Sequence, residues 1–368
     1  MNIVLIGGQE IPGIGGAESY MLNLSKELCA QGHSVTIICS GRKSYGTTID
    51  NVKIIHKVCP KSNIIALPLL FFKSIGYIVK NRKNIDAVNY QSIFMAFIPG
   101  WICSLFGCKA YYTIHSLAED NPKHGAFMKF LMKVVAFISI WFCGKNIITI
   151  SESKAKEIKG RYGKKCTVIP CGISAVKKID ETDILERFKI KKGEYYLTIG
   201  RIDPVKNLDT LIKAFIKHNN QEKQLVIAGN YDNEYGKQLI ELAKNNSNII
   251  FTGIVMGDDK ETLLKNCFTN CLVSSSEGMP ISLLEAMIYA KPCIVTDIPA
   301  IKEITEERLG YWCKVGDVET LCAQMSVIQK EYEIAKDKGE QLKNNIEARY
   351  LWDKVAKNYT KHIMGSHV

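Results

Sequence analysis

The chain alternates short apolar runs with helix-length segments from one end to the other, and this grammar starts over near the middle. Asn2-Ile-Val-Leu-Ile-Gly7 is strand-like, Gly15 to Gln31 follows with Met21, Leu24 and Leu28 at helical spacing, and Gly32-His33 turns into Ser34-Val-Thr-Ile-Ile-Cys39. That is one βαβ unit. Runs at Val52 to Val58, Ile85 to Tyr90, Lys109 to His115, Asn146 to Ile150 and Cys166 to Pro170 continue it. After Ile169-Pro170-Cys171-Gly172 and a charged, irregular stretch through Gly193, strand-like runs return at Tyr195 to Gly200, Gln224 to Gly229, Asn248 to Thr252, Thr269 to Val273, Pro292 to Thr296 and Gly310 to Cys313. Helical segments such as Leu208 to His218 and Pro280 to Ala290 lie between them. Strands that alternate with helices form parallel sheets covered on both faces. The expectation is an α/β protein of two doubly wound, Rossmann-like parallel-sheet domains, residues 1–170 and 171–348. A ligand is expected in the cleft between them, at the carboxyl ends of both sheets.

Composition narrows the class. With 368 residues, 46% hydrophobic and 23% charged, the chain can bury a large core and is neither disordered nor fibrous. Its net charge of +11 is unevenly placed: residues 1–170 hold 21 Lys+Arg against 9 Asp+Glu, leaving 27 against 28 for residues 171–368. A basic half invites a nucleic-acid reading, but no recognised module or aromatic-basic interleaving supports one. Thirteen cysteines without a Cys-x-x-Cys pair lack zinc-ligand spacing. Their apolar flanks, and the want of a secretory leader, point to buried thiols in a reducing cytoplasm. No uncharged apolar run reaches the roughly 20 residues that span a bilayer.

Three loops carry polar residues in patterns that suit chemistry. The first reads Gly7-Gly8-Gln-Glu-Ile-Pro12-Gly13-Ile-Gly15-Gly16-Ala-Glu18, where glycines before a helix let a ligand approach backbone amides that attract anions. A dinucleotide fingerprint would need glycine at position 18, and Glu18 stands there; simple turn-making is the bland alternative. The second loop, Gly200-Arg201-Ile-Asp203-Pro204-Val-Lys206-Asn207, can bring a planar guanidinium and a point charge to one diphosphate, or pair Arg201 with Asp203 on a solvated surface. No Asp-x-Asp occurs, so no metal site is expected and cations would do a metal's work. The third, Ser274-Ser-Ser-Glu277-Gly278-Met279-Pro280-Ile281-Ser282-Leu-Leu-Glu285, sets two carboxylates around a helix whose first turn Pro280 prepares. Taken singly, Glu277 is equally a helix-terminus charge and Glu285 a solvated helix residue.

Occurring in this order, together with the Val168-Ile-Pro-Cys-Gly-Ile173 junction, these motifs resemble glycosyltransferase family 4, of the GT-B fold, over essentially the whole chain. The resemblance implies retaining, metal-independent transfer of a sugar from a nucleotide-diphosphate donor, with no further cofactor. It implies that Arg201 and Lys206 clamp the diphosphate. Glu277, with the backbone of Gly278, Met279, Pro280, Ile281 and Ser282, would hold the donor sugar, and Glu285 the ribose. Gly15 and Gly16 would lie against the donor phosphate, and His115 near the sugar and the attacking hydroxyl. The family's usual Asn and Asp at the junction are replaced by Cys171 and Ser174, which is read as tuning the connection. A last helix, Ala348 to Tyr359 at its core and about 349–364 in extent, would return to the first domain.

Segments Ile64 to Arg82, Ile93 to Lys109 and Ala126 to Lys145 mix large apolar residues with Lys, as interfacial helices do, though core helices are apolar too. With the +12 of the first half, they suggest peripheral contact with an anionic membrane. The expected partners are thus a nucleotide-sugar donor, a glycan or polyprenyl-linked acceptor and a lipid surface, at the inner face of the cell membrane. Capsule or envelope polysaccharide assembly fits. A sugar-nucleotide epimerase on the same scaffold and a non-catalytic subunit of a glycan-assembly complex are the alternatives.

Overall fold

The structure, a computed structural model, describes residues 1–13, 16–60, 63–92, 96–115, 117, 125–143, 146–176 and 178–365. It divides into two compact units, one of residues 1–172 with 352–368 and one of residues 173–351.

Unit 1 runs β1 (Asn2–Ile6), α1 (Gly16–Ala30), β2 (Ser34–Gly41), β3 (Tyr45–Ile49), β4 (Val52–Val58), α2 (Asn63–Asn81), β5 (Ala87–Tyr90), α3 (Phe97–Leu105), β6 (Lys109–Ile114), α4 (Ala126–Phe142), β7 (Ile147–Thr149), α5 (Glu152–Tyr162) and β8 (Thr167–Val168). Its eight-stranded sheet has the order β3-β4-β2-β1-β5-β6-β7-β8. Central strands are buried on both faces, as Val4, Leu5 and Ile6 in β1 and Val88 and Tyr90 in β5 illustrate. That burial is why they read as continuous apolar runs. One strand departs from the expectation: β3 pairs antiparallel with β4, Thr47 opposite Ile54. Its Tyr-Gly-Thr-Thr-Ile is short, polar and mostly exposed, which suits an edge and leaves no apolar run to read.

Unit 2 begins with the one-turn α6 (Ile184–Arg187) and continues β9 (Tyr195–Ile199), α7 (Leu208–His218), β10 (Gln224–Ala228), α8 (Glu234–Ala243), β11 (Ile249–Gly253), α9 (Gly257–Asn266), β12 (Thr269–Leu272), α10 (Ile281–Ile288), β13 (Cys293–Thr296), α11 (Pro299–Ile304), β14 (Tyr311–Cys313), α12 (Val318–Lys330) and α13 (Tyr332–Arg349). Its six strands are ordered β11-β10-β9-β12-β13-β14 and are parallel throughout. Helices on one face bury Leu283, Leu284 and Met287 of α10 with Leu342 and Ile346 of α13, and on the other Leu211 and Phe215 of α7 with Leu321 and Met325 of α12.

The last helix is corrected. The stretch from Ala348 onward is not one helix: α13 ends at Arg349, and α14 (Trp352–Gly365) starts after Tyr350 and Leu351. No glycine or proline marks that break. Ile173 N donates to Tyr350 O at 2.7 Å within unit 2, whereas Trp352 packs in unit 1 against Gly172, where a β-carbon would stand 2.3 Å from the indole. In α14, Tyr359 and Ile363 are fully buried; Asn89 Nδ2 donates to the Tyr359 hydroxyl at 2.6 Å, and the Tyr111 hydroxyl donates to Ile363 O at 3.1 Å. Those bonds satisfy polar groups inside the sheet's covering layer.

Candidate active site

In unit 2 the strand order reverses at β9, which has β10 on one side and β12 on the other. Loops leaving the carboxyl ends of such neighbours diverge and open a crevice. The loop after β9 is Gly200 to Asn207. Ile202 is buried, and its carbonyl accepts from Asn233 Nδ2 at 3.0 Å. The Asp203 carboxylate accepts from Val205 N at 3.0 Å and so starts the 3₁₀ turn Pro204–Lys206, which closes on Asn207 in the left-handed region at φ 48°. Asn207 Nδ2 then donates to Val273 O at 3.1 Å, and Ser275 N donates to Val205 O at 2.8 Å. The loops after β9 and β12 are therefore one stitched unit. A narrow crevice between them, about 10 Å³ in volume, is lined by residues that include Gly200, Arg201, Lys206 and Ser274.

Lys206 Nζ donates to Glu277 Oε1 at 2.6 Å, with their side chains only 17% and 11% exposed. The Ser274 hydroxyl donates to the same oxygen at 2.6 Å. Glu277 Oε2 has no hydrogen bond among the described residues. Arg201 is different: its side chain is 86% exposed, and its nearest carboxylate oxygen, on Asp203, is 3.6 Å away. That contact is loose, and Asp203 is already engaged as a cap, so the guanidinium can turn to an anion at little cost. Gly278 and Met279 are half-buried and Pro280 is buried. Pro280 precedes α10 rather than opening it, and no side chain caps the helix, so the amides of Ile281 and Ser282 are among its unfilled donors. Glu285, in the second turn, is gripped on Oε1 by Lys260 Nζ of α9 at 2.7 Å. Burial pushes its carboxyl up, against the pull of Lys260. Like Glu277, it leaves Oε2 without a hydrogen bond among the described residues.

The remaining predicted residues belong to unit 1, whose strand order reverses between β1 and β5. Gly15 lies outside the described residues. Gly16 opens α1, and a β-carbon there would meet nothing within 4 Å, whereas at Gly13 it would stand 2.5 Å from the Glu10 carbonyl oxygen. Gly13 is thus explained by the turn and Gly16 is not. Glu18 is taken, since its carboxylate accepts from Gln9 N at 2.7 Å. His115 follows β6, half-buried, with the Tyr20 ring edge-on at 5.0 Å. Its Nε2 lies 3.0 Å from Gln91 Oε1. Burial pushes the imidazole down to about 4, so the ring is neutral at neutral pH.

Three partners escaped the motif reading. Ser274 holds Glu277, Lys260 holds Glu285, and Gln91 meets His115 while its own Nε2, buried, has no partner among the described residues. Ser274 lies within the third motif, so its spacing was a usable signal. Lys260 and Gln91 are brought in from other elements by the fold. Among the described residues no three His, Cys, Asp or Glu side chains are grouped to hold a metal ion.

Residues 14–176 match the family described as Glycosyltransferase Family 4, and residues 180–349 match Glycosyl transferases group 1. The chain is 27% identical over 371 residues to the N-acetyl-alpha-D-glucosaminyl L-malate synthase of Bacillus anthracis, with 95% of this chain and 93% of that one covered. It is 23% identical to the alpha-monoglucosyldiacylglycerol synthase of Streptococcus pneumoniae, over 99% of this chain and 88% of that one. Among solved structures, Anabaena HepE in complex with UDP and glucose superposes with a TM-score of 0.77 at 15% identity, covering 99% of each chain. That last likeness speaks for the fold alone.

Proposed function

This chain is a glycosyltransferase of family 4 with the GT-B fold, and we propose that it moves a sugar from a nucleotide-diphosphate donor to a glycan or lipid-linked glycan acceptor with retention of configuration. The observation that carries the reading is the stitched loop pair at the β9/β12 switch point, where Lys206 and Glu277 are held together and one carboxylate oxygen stays open. In the proposed reaction the bond from the anomeric carbon to the diphosphate oxygen breaks, and the acceptor oxygen bonds to that carbon on the same face. The acceptor's proton passes to the departing diphosphate. Arg201 and Lys206 stabilise the charge that develops there, in place of a metal. Glu277 Oε2 accepts from sugar hydroxyls, with the backbone at Gly278 to Ser282 beside it. Glu285 Oε2 accepts from the ribose. Gly16 receives donor phosphate, and neutral His115 lies near the reacting sugar without adding a charge.

The Streptococcus relative's name places a lipid among family products. That supports an acceptor linked to lipid; action at the inner face of the cell membrane, in capsule or envelope polysaccharide assembly, is proposed with it. The +12 of residues 1–170 would face anionic lipid. The test is a thermal-shift screen with UDP-, GDP- and dTDP-sugars, since a ligand that binds only the native state raises the melting temperature. One donor is expected to stabilise the protein and to support turnover that Glu277→Ala abolishes with the fold intact. Full activity of that variant would overturn the assignment.

A further inference from the structure

Apart from Lys129 and Lys133, α4 is almost wholly apolar, yet it lies on the surface. Met132, Ala136, Ser139 and Ile140 form one stripe and are buried in unit 1. Phe127, Phe130, Val134, Phe137 and Trp141 recur at spacings of three and four on the other side and are 39–79% exposed. With Leu131, Ile138 and Phe142 they sweep an arc of roughly 140° at 3.6 residues per turn. An exposed apolar arc of this width, opposite the buried stripe, calls for a covering surface. The face does not end with the helix. Phe142 stacks on Phe97 of α3 with ring centroids 5.3 Å apart, and Trp101 and Leu105, one and two turns further along α3, are 65% and 66% exposed. A fully exposed aromatic side chain has on the order of 150–250 Å² to cover, and the six aromatic rings Phe127, Phe130, Phe137, Trp141, Phe142 and Trp101, 48–79% exposed, together exceed the several hundred Å² typical of the largest apolar patch on a monomer.

Charge identifies what covers it. α2 contains Lys73 and Lys80 and α4 contains Lys129 and Lys133, α3 has no charged residue, and none of the three carries a carboxylate. Lys164 Nζ stands 4.2 Å over the Trp141 ring, a cation at the edge of the apolar face. A second copy of this chain would press like charges together across an isologous contact, whereas an anionic leaflet offers acyl chains to the rings and headgroups to the ammonium groups. No helix among the described residues is long and apolar enough to cross a membrane, so the geometry is that of a helix lying in the interface.

We propose that the outer face of α4, continued by α3, inserts shallowly into a lipid leaflet, and that this apolar insertion, more than the general basic charge, holds the protein there. The inference goes beyond the membrane contact proposed above by naming its face and its driving force, and it stands apart from donor chemistry. The test is co-sedimentation of the full chain with vesicles of phosphatidylcholine alone and with phosphatidylglycerol added. Salt is raised from about 0.1 M to about 1 M, which cuts the Debye length from roughly 10 Å to roughly 3 Å. Binding is expected to both vesicles, tighter with phosphatidylglycerol, and to persist at high salt, with a blue shift of tryptophan emission. Phe130→Ser with Phe137→Ser should lower partitioning at least tenfold at both salts while the melting temperature and the donor-induced thermal shift stay unchanged. Binding abolished by salt and indifferent to the Phe substitutions would overturn the proposal in favour of a purely electrostatic dock. No vesicle binding, with dimers dispersed by the same substitutions, would overturn it in favour of self-association. A lost donor shift with binding intact would instead count against the catalytic reading.

Discussion

Lys206→Met is the most informative single perturbation, because it deletes a charge that both the resting site and the proposed reaction use. The side chain is 17% exposed and its partner 11%, so the pair is neither a solvated surface bridge nor a fully desolvated one. Two unit charges at contact distance attract by about 4 kcal/mol at an effective dielectric constant of 20, and desolvation returns part of that. A hydrogen bond to a charged group is worth about 1.5–3 kcal/mol net. Losing Lys206 leaves the Glu277 carboxylate with the Ser274 hydroxyl as its remaining hydrogen-bond partner among the described residues. The expected destabilisation is about 2 kcal/mol, a fall in melting temperature of about 4–8 °C for a domain of this size. In a double-mutant cycle with Glu277→Gln, unfolded in urea, the coupling should come out at about 1.5–2 kcal/mol. Turnover should fall by about 100- to 1000-fold, as when one donor is removed from a site where negative charge develops. Additive stabilities, with coupling below about 0.5 kcal/mol, together with undiminished turnover, would refute the reasoning on both counts.

Lys260→Met should act on Glu285 alone, raising its carboxyl further from the ordinary range, since the ammonium is what opposes burial there. We expect the donor KM to rise about tenfold, kcat to hold, the acid limb of the pH profile to move to higher pH, and Lys260→Arg to restore all three; a kcat loss with an unmoved profile would mean general damage instead. His115 predicts a stability slope. The fold holds its ring neutral down to about 4, against 6.5 ordinarily, so between those values the unfolded chain binds a proton that the native state refuses, and stability falls as pH drops through that window. Urea melts of the protein and of His115→Gln across that range should diverge by this slope, and parallel curves would show that the ring titrates normally.

Most of the fold was legible because parallel strands are buried on both faces. What escaped did so for identifiable reasons. β3 is polar and edge-bound, so the rule that reveals its neighbours is silent on it. The break between α13 and α14 carries no helix-breaking residue; it is set by Trp352 filling the space beside Gly172. Motif spacing pointed to Glu277 and Glu285 but not to Lys260, which lies 25 residues from Glu285 and meets it because α9 and α10 pack together. Periodicity showed that α4 is apolar without telling which stripe faces the core, and both stripes fit helical spacing. Only burial separates Met132 and Ile140 from Phe127 and Phe137.

The two carboxylates share a design that bears on how the site would meet a donor. Each has one oxygen fixed by a lysine from another segment and the other unoccupied among the described residues. A carboxylate left unpaired in a half-buried loop would draw protons or water and wander among rotamers; pinned on one side, it presents the free oxygen at a set position. Lys206 gains from the same arrangement. In the proposed reaction it need not be recruited from solvent, and sharing an ammonium already held by one anion with a second requires less desolvation than fetching it afresh. Arg201 lies at the opposite extreme, exposed and loosely paired, and so free to follow the diphosphate. A rigid cation beside the sugar carboxylate and a mobile one beside the leaving group would divide the work between positioning and charge stabilisation. The division predicts unequal losses: Arg201→Ala should cost turnover with little change in melting temperature, whereas Lys206→Met costs both.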